Sequence, residues 1–221
     1  MLAFQLAHAR ARDAVAQPLD VDALLRALGP GTLAVESQAP DRAAYLRDPR
    51  LGRSLARANP PLEPGDHDLA VVVADGLSAR AAQTHAVPVL RALEARLPGW
   101  RLAPITVARL ARVAIGDEIG FALRARAVLV LIGERPGLSA SDSLGAYLTW
   151  DPRPGRRDSE RNCVSNIHGA GLGPEEAAVA LSWLLLEAQR LGLTGVGLKD
   201  RRVGSDRIDA PAGIAPPLGT V

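Results

Sequence analysis

Leu69-Ala70-Val71-Val72-Val73-Ala74 is an unbroken apolar run, closed at once by Asp75-Gly76-Leu77-Ser78. A strand with one wet face would alternate with polar residues. This one does not, so it reads as a parallel strand covered on both faces. A helical pattern follows through Arg96 and stops at Pro98-Gly99, completing a strand, a turn and a helix. A second unit starts near Leu102 to Val107, passes Arg112-Val113 and Gly116-Asp117, and continues as a helix around Glu118 to Arg126. A third opens with Ala127-Val128-Leu129-Val130-Leu131-Ile132 and ends at Gly133-Glu134-Arg135-Pro136-Gly137. Strands alternating with helices at this spacing predict an α/β fold built on an open sheet with right-handed crossovers.

Outward from these units, Gly145 to Trp150 reads as a further strand, and a long helix is expected from about Pro174 to Leu191. Pro174 suits the first helical turn, and Glu175 and Glu176 complement the positive end of the helix dipole. On the N-terminal side, residues 2 to 28 read as helices, the second beginning at Asp20, and Gly29-Pro30-Gly31 stops them. The stretch from Thr32 to Asp66 is polar and punctuated by prolines, with a short helix expected from Arg50 to Ala58. Three parts follow: a small N-terminal helical and irregular lobe over residues 1–66, the sheet domain over residues 67–200, and a disordered Pro/Gly-rich tail over residues 201–221.

The chain has 221 residues, enough for a substantial core without disulfides or a metal. Lys199 is the only lysine, and the arginines are nearly balanced by carboxylates, leaving a formal charge of +2. No arginine run is interleaved with aromatics, so nucleic-acid binding is not expected. Cys163 is the only cysteine, which excludes an intrachain disulfide and a multi-thiolate zinc site. Charged Arg10, Arg12 and Asp13 interrupt the N-terminal apolar residues, so neither a signal peptide nor a membrane span is expected, and a cytoplasmic location follows.

In open α/β sheets ligands bind outside the carboxyl ends of the strands, which draws attention to Asp75 to Ser78, Val113 to Asp117 and Gly133 to Gly137. None is a phosphate cradle: Gly-x-x-x-x-Gly-Lys-Ser/Thr and Gly-x-Gly-x-x-Gly are both missing there. Glu134, in a tight turn after a buried strand, is placed to accept hydrogen bonds from amide-bearing groups of a ligand; the alternative is a local surface pair with Arg135. Residues 158–168 read as a polar, hydrogen-bond-rich loop. Cys163 within it is either a nucleophile with His168 nearby, or a small packed or ligand-contacting side chain. His8, His67 and His85 show no metal-ligand spacing, His85 reading as a helix-face or contact residue. Ser78 reads as a helix cap rather than a nucleophile, since its surroundings are not Gly-x-Ser-x-Gly.

Taken together, four segments resemble those of the ethanolamine ammonia-lyase small subunit, and in the same order. They are Val72 to Ala79, Gly116-Asp117-Glu118-Ile119-Gly120, Leu131 to Leu138, and Arg161-Asn162-Cys163-Val164-Ser165-Asn166-Ile167. Leu2 to Val15 is similar to the family's N-terminal helix, and coverage runs to about Asp200. The resemblance implies a Rossmann-like, mainly parallel sheet with flanking helices. It also implies a hetero-oligomer with a large TIM-barrel subunit that binds most of the substrate, ethanolamine, and adenosylcobalamin lying between the two chains. The activity implied is conversion of ethanolamine to acetaldehyde and ammonia by radical chemistry, in the cytoplasm, free or within a bacterial microcompartment. Position by position, Val113, Glu134 and Cys163 match the family's cobalamin contacts, and neighbouring Arg112 is a further candidate. No catalytic residue and no metal ligand is assigned to this chain. The alternatives are a non-catalytic cobalamin-binding or assembly protein and, third, a stand-alone nucleotide-binding enzyme. The family's further N-terminal segment, with its Gly-Arg-Ala-Gly-like stretch, does not precede Leu2, and the Pro/Gly tail after Asp200 is the other departure.

Overall fold

The two apolar runs sit at the centre of the sheet. In a computed structural model, which describes Gln5, residues 14–137 and residues 140–199, β2 (His67–Ala74) and β4 (Ala125–Gly133) pair in parallel, with Val71 opposite Leu129 and Val73 opposite Leu131. Around them the order is β1-β3-β2-β4-β5-β6, with β1 at Leu33–Glu36, β3 at Thr106–Arg109, β5 at Leu144–Trp150 and β6 at Arg161–Ile167. The pairings of β1, β3, β2 and β4 are parallel, whereas β5 and β6 join antiparallel. The fold is therefore α/β, on a mixed six-stranded sheet.

Both faces are covered, as the unbroken apolar runs require. Leu69, Val71 and Val73 of β2, with Leu129 and Leu131 of β4, point into one core, shared with α3 (Ala79–Glu94) and α5 (Pro174–Leu191). Ala70, Val72, Ala74, Val128, Val130 and Ile132 point the other way, into a core with Ile115 and Ile119 of α4 (Ile115–Ala122) and with Leu123. Successive residues of one strand thus feed opposite cores, by the two-residue period of the pleat.

Local chemistry sets the helix ends. The Ser78 hydroxyl accepts from Ala81 N at 3.3 Å and caps α3, as its position after the first strand predicts. α5 starts with Pro174 and closes on Gly192 in the left-handed conformation. The N-terminal side contributes α1 (Val21–Leu28), capped by Asp20, and α2 (Arg42–Arg47), capped by Asp41. β1 lies in the stretch expected to be irregular, and only a three-residue 3₁₀ turn, Leu51–Arg53, occupies part of the helix expected over Arg50 to Ala58. Beyond it Ser54 is extended, and Leu55 bridges Ser37 and donates its N–H to Glu118 Oε2 at 2.8 Å, which takes the backbone out of a helix. Gln5 and residues 14–16 are helical; the rest of the helix expected at the N-terminus and the tail over residues 201–221 lie outside the described residues. No helix among the described residues is long and apolar enough to cross a membrane.

Candidate functional site

The carboxyl ends of β2, β3 and β4 meet at one edge, and the turns after them are fastened together. Gly76 has φ +54 and lies so close to β4 that a Cβ there would stand 2.2 Å from the carbonyl oxygen of Gly133. Only glycine allows both the backbone conformation and that approach. Asp75 is buried; one carboxylate oxygen accepts from Ala111 N at 3.0 Å and the other faces Arg42 Nη1 at 3.4 Å. Burial pushes the Asp75 pKa up, and these donors oppose it. Arg42 also donates to the carbonyls of Gly76 and Val15, both at 2.8 Å. The turn after β2, the start of α2 and the N-terminal helical residues are therefore tied by one guanidinium.

Tyr45, fully buried on α2, carries two arginines on its ring: Arg42 at 4.8 Å and Arg112 at 4.3 Å from the centroid. Its hydroxyl donates to the Ala111 carbonyl at 3.0 Å, and burial raises its pKa far above the usual phenol range. The tyrosine thus stays neutral and holds the Arg112 plane by stacking. No nitrogen of that guanidinium has an acceptor among the described residues, and Nε is buried. Because Nε is enclosed, a ligand in the adjoining space would reach Arg112 through its Nη atoms.

Arg112 and Val113 form a ridge between two open clefts. One, of about 370 Å³, is bounded by Pro49, Arg53, Asp158, Arg161 and Cys163. The other, of about 410 Å³, is bounded by Gly76, Leu77, Glu134 and Arg135. Tyr147 on β5 lines both. The four residues singled out in the sequence, Arg112, Val113, Glu134 and Cys163, therefore converge on one face, although they come from three different segments of the chain. Tyr147 is the member that the sequence did not disclose.

The polar segment expected to be a loop before the long helix is the strand β6 over most of its length. Its side chains are mostly half-buried or exposed, so it lacks the apolar alternation that marks a strand in sequence. Pairing with β5 sets Cys163 opposite Tyr147. Desolvation beside the Tyr147 ring pushes the Cys163 pKa up; the neighbouring phenol opposes this and Glu134 adds to it. A thiol held protonated is a poor nucleophile. His168 is turned away to its own neighbours, with Asn166 Oδ1 at 2.8 Å from Nε2 and Ala170 N donating to Nδ1 at 3.3 Å. Cys163 is exposed on the cleft wall, and a ligand-contacting side chain fits this geometry better than a Cys/His pair.

Glu134 does not pair with Arg135. Its Oε2 accepts from Ser143 Oγ at 2.6 Å and lies 3.4 Å from Asn166 N, while Oε1 has no donor among the described residues. The cleft floor is set by a second buried pair. Arg161 grips Asp117 through both carboxylate oxygens at 2.6 and 2.7 Å, and also donates to Thr149 Oγ1 at 2.7 Å. Both side chains are 2% exposed. Burial alone pushes the Asp117 carboxyl up, but the forked guanidinium and the N-terminal turn of α4 both favour the carboxylate, and we assign the pair as ionised. His85 meets Asp142 at 3.2 Å, as a contact residue. No cluster of metal-ligating side chains occurs among the described residues.

The sequence profile of the family described as Ethanolamine ammonia-lyase light chain (EutC) matches residues 1–199. The chain is 52% identical over 211 residues to the ethanolamine ammonia-lyase small subunit of Xanthomonas campestris pv. campestris, covering 90% of this chain and 78% of that one. It is 51% identical over 222 residues to the small subunit from Bradyrhizobium diazoefficiens, covering 93% and 85%. It is 47% identical over 230 residues to that of Pseudomonas aeruginosa, covering 99% and 83%. A family match over residues 1–199 and identity at this level across nearly the whole chain lead to one assignment: the chain belongs to the ethanolamine ammonia-lyase light-chain family.

Proposed function

We propose that this chain is the small subunit of an adenosylcobalamin-dependent ethanolamine ammonia-lyase, and that its cleft face forms one wall of a cobalamin site closed by the large subunit. The observation that carries the reading is the pair of unmet polar groups at the meeting of Arg112, Val113, Glu134 and Cys163. Among the described residues Glu134 Oε1 has no donor and the Arg112 guanidinium has no acceptor. A ring whose rim carries carboxamides offers both partners at once, N–H to Glu134 and C=O to Arg112. The residues fit that group.

When bound, adenosylcobalamin supplies the carbon radical that starts the conversion of ethanolamine to acetaldehyde and ammonia. The side chains of this subunit position and shield. Val113 and Cys163 give compact contacts, Tyr147 stands beside Cys163 across the strand pair, and Tyr45 keeps Arg112 in place while remaining neutral. The open clefts need a second chain to exclude water, which supports a cofactor held between subunits. The substrate is bound mainly by the large subunit, and the complex works in the cytoplasm.

The test is acetaldehyde release from ethanolamine and adenosylcobalamin by the co-expressed large subunit, with and without this chain. Turnover only with both chains is expected. A complex that forms and retains cobalamin but never turns over would replace this reading with a non-catalytic cobalamin holder.

A further inference from the structure

The segment that returns from Glu134 to β5 is pinned at three consecutive residues. Ser78 Oγ donates to the Ser141 carbonyl at 2.9 Å, His85 Nε2 lies 3.2 Å from Asp142 Oδ2, and Ser143 Oγ donates to Glu134 Oε2 at 2.6 Å. Backbone bonding repeats the last contact, with Glu134 N donating to the Ser143 carbonyl at 2.9 Å. Ser143 is buried. A short, partly buried hydroxyl-to-carboxylate bond is among the stronger neutral-to-charged contacts, and with the longer approach of Asn166 N at 3.4 Å to the same oxygen it restricts the rotation of the glutamate side chain.

The opposite oxygen is treated differently. Oε1 faces Gly145, where an added Cβ would lie 2.9 Å from it and 3.0 Å from the Tyr147 ring. Gly145 is in β5 with no positive φ, so its backbone does not call for glycine. The space in front of the carboxylate does. One oxygen is thus tied back from inside the protein, and the other has no donor among the described residues, on a side chain that lines the cleft of about 410 Å³.

We infer that Ser143 and Gly145 are positioning residues that present Glu134 Oε1 to the bound cofactor, Ser143 by anchoring Oε2 and Gly145 by leaving room for Oε1. The inference rests on the cobalamin reading of Glu134 proposed above. Neither residue needs to touch the ligand. Ser78, through its bond to Ser141, and the pair of His85 and Asp142 hold the segment from behind.

The experiment uses the co-expressed two-subunit complex and cyanocobalamin as probe, with Kd read from the visible spectrum and assembly checked by gel filtration. S143A is expected to raise Kd roughly tenfold, the scale of losing one hydrogen bond to a charged group, and to raise the KM for adenosylcobalamin more than it lowers kcat. S143T, which restores the hydroxyl, should recover most of the affinity. In an E134Q background S143A should add little, because the carboxylate it orients is gone. S143A at the wild-type Kd beside a weakened E134Q, or losses that simply multiply in the double variant, would overturn the inference. E134Q at the wild-type Kd would instead remove the cobalamin reading of Glu134, and the positioning role with it. If S143A does not assemble, G145A decides: it should raise Kd in the wild type and have no further effect in E134A. Equal effects in both backgrounds would count against the role.

Discussion

Replacing Asp117 by alanine leaves the Arg161 guanidinium buried without its carboxylate. The pair is held by two short bonds with both side chains 2% exposed. Water cannot reach in to compensate, so D117A should destabilise the chain by about 3–5 kcal/mol, read from the shift in a urea unfolding curve at constant slope. The comparison is R190A, which removes an exposed i,i+3 pair with Glu187 on α5 and should leave the midpoint where it is. If the two variants behave alike, the burial argument is wrong. Asp68 gives a pH signature at the same scale. Hydrogen bonds from Arg101 hold its carboxyl near a pKa of about 2, below the usual 3.8. A carboxyl with a depressed folded pKa contributes fully above its unfolded value and loses that contribution as pH falls through the folded one. Wild type minus D68N stability should therefore be level above pH 4 and shrink between pH 4 and pH 2, and a difference flat across that window would refute it. Glu134 stood out in the chain as a charge in a glycine-bounded turn after an apolar strand, a pattern that fits a surface pair as well as a ligand contact, and only the family resemblance favoured the contact. Ser143 and Tyr147 did not stand out, since their roles depend on which residue faces which across β5 and β6, and register is a property of the folded sheet.

Elements divide along the same line. β2, β4 and α5 were readable because burial on both faces, or a capped and continuous apolar pattern, leaves a strong trace in composition. β1 is four residues long, and β6 exposes or half-exposes most of its side chains, so neither carries such a trace. What makes β6 a strand is its hydrogen bonding to β5, which adds the edge that brings Cys163 to Tyr147. The central strands should accordingly dominate stability. Leu129 is fully buried in β4, between β2 and β5, and packs among side chains of α3 and α5. L129A should cost about 2–5 kcal/mol, from lost transfer energy and the cavity left behind. A loss below 1 kcal/mol in chemical denaturation would show that this core collapses freely around the gap. The fold class was thus set by a few strands that bury on both sides, whereas the mixed character of the sheet came from edge strands with ordinary polar sequences.

At the scale of the whole molecule, the two clefts of about 370 and 410 Å³ lie side by side on one face and share the ridge of Arg112, Val113 and Tyr147. Neither is enclosed. A large ring laid across them would contact protein on one side only and leave the other in water, keeping the polar rim competing with solvent for every hydrogen bond. Arg53, Arg112 and Arg161 with Glu134 and Asp158 supply polar definition, but too little apolar surface to retain such a ligand alone. A second chain closing over the same face would bury the far side and raise the strength of the bonds already made to Glu134 and Arg112. The isolated chain should therefore bind cyanocobalamin at least roughly 100-fold more weakly than the two-subunit complex, a difference of about 2.7 kcal/mol. Equilibrium dialysis of each against the free corrinoid measures it. Weak binding by the isolated chain that sharpens on adding the large subunit is the result expected of a shared site. Equal affinity in both would place the whole site on this chain and remove the need for a partner wall, and binding by the large subunit unaffected by this chain would assign the cofactor elsewhere.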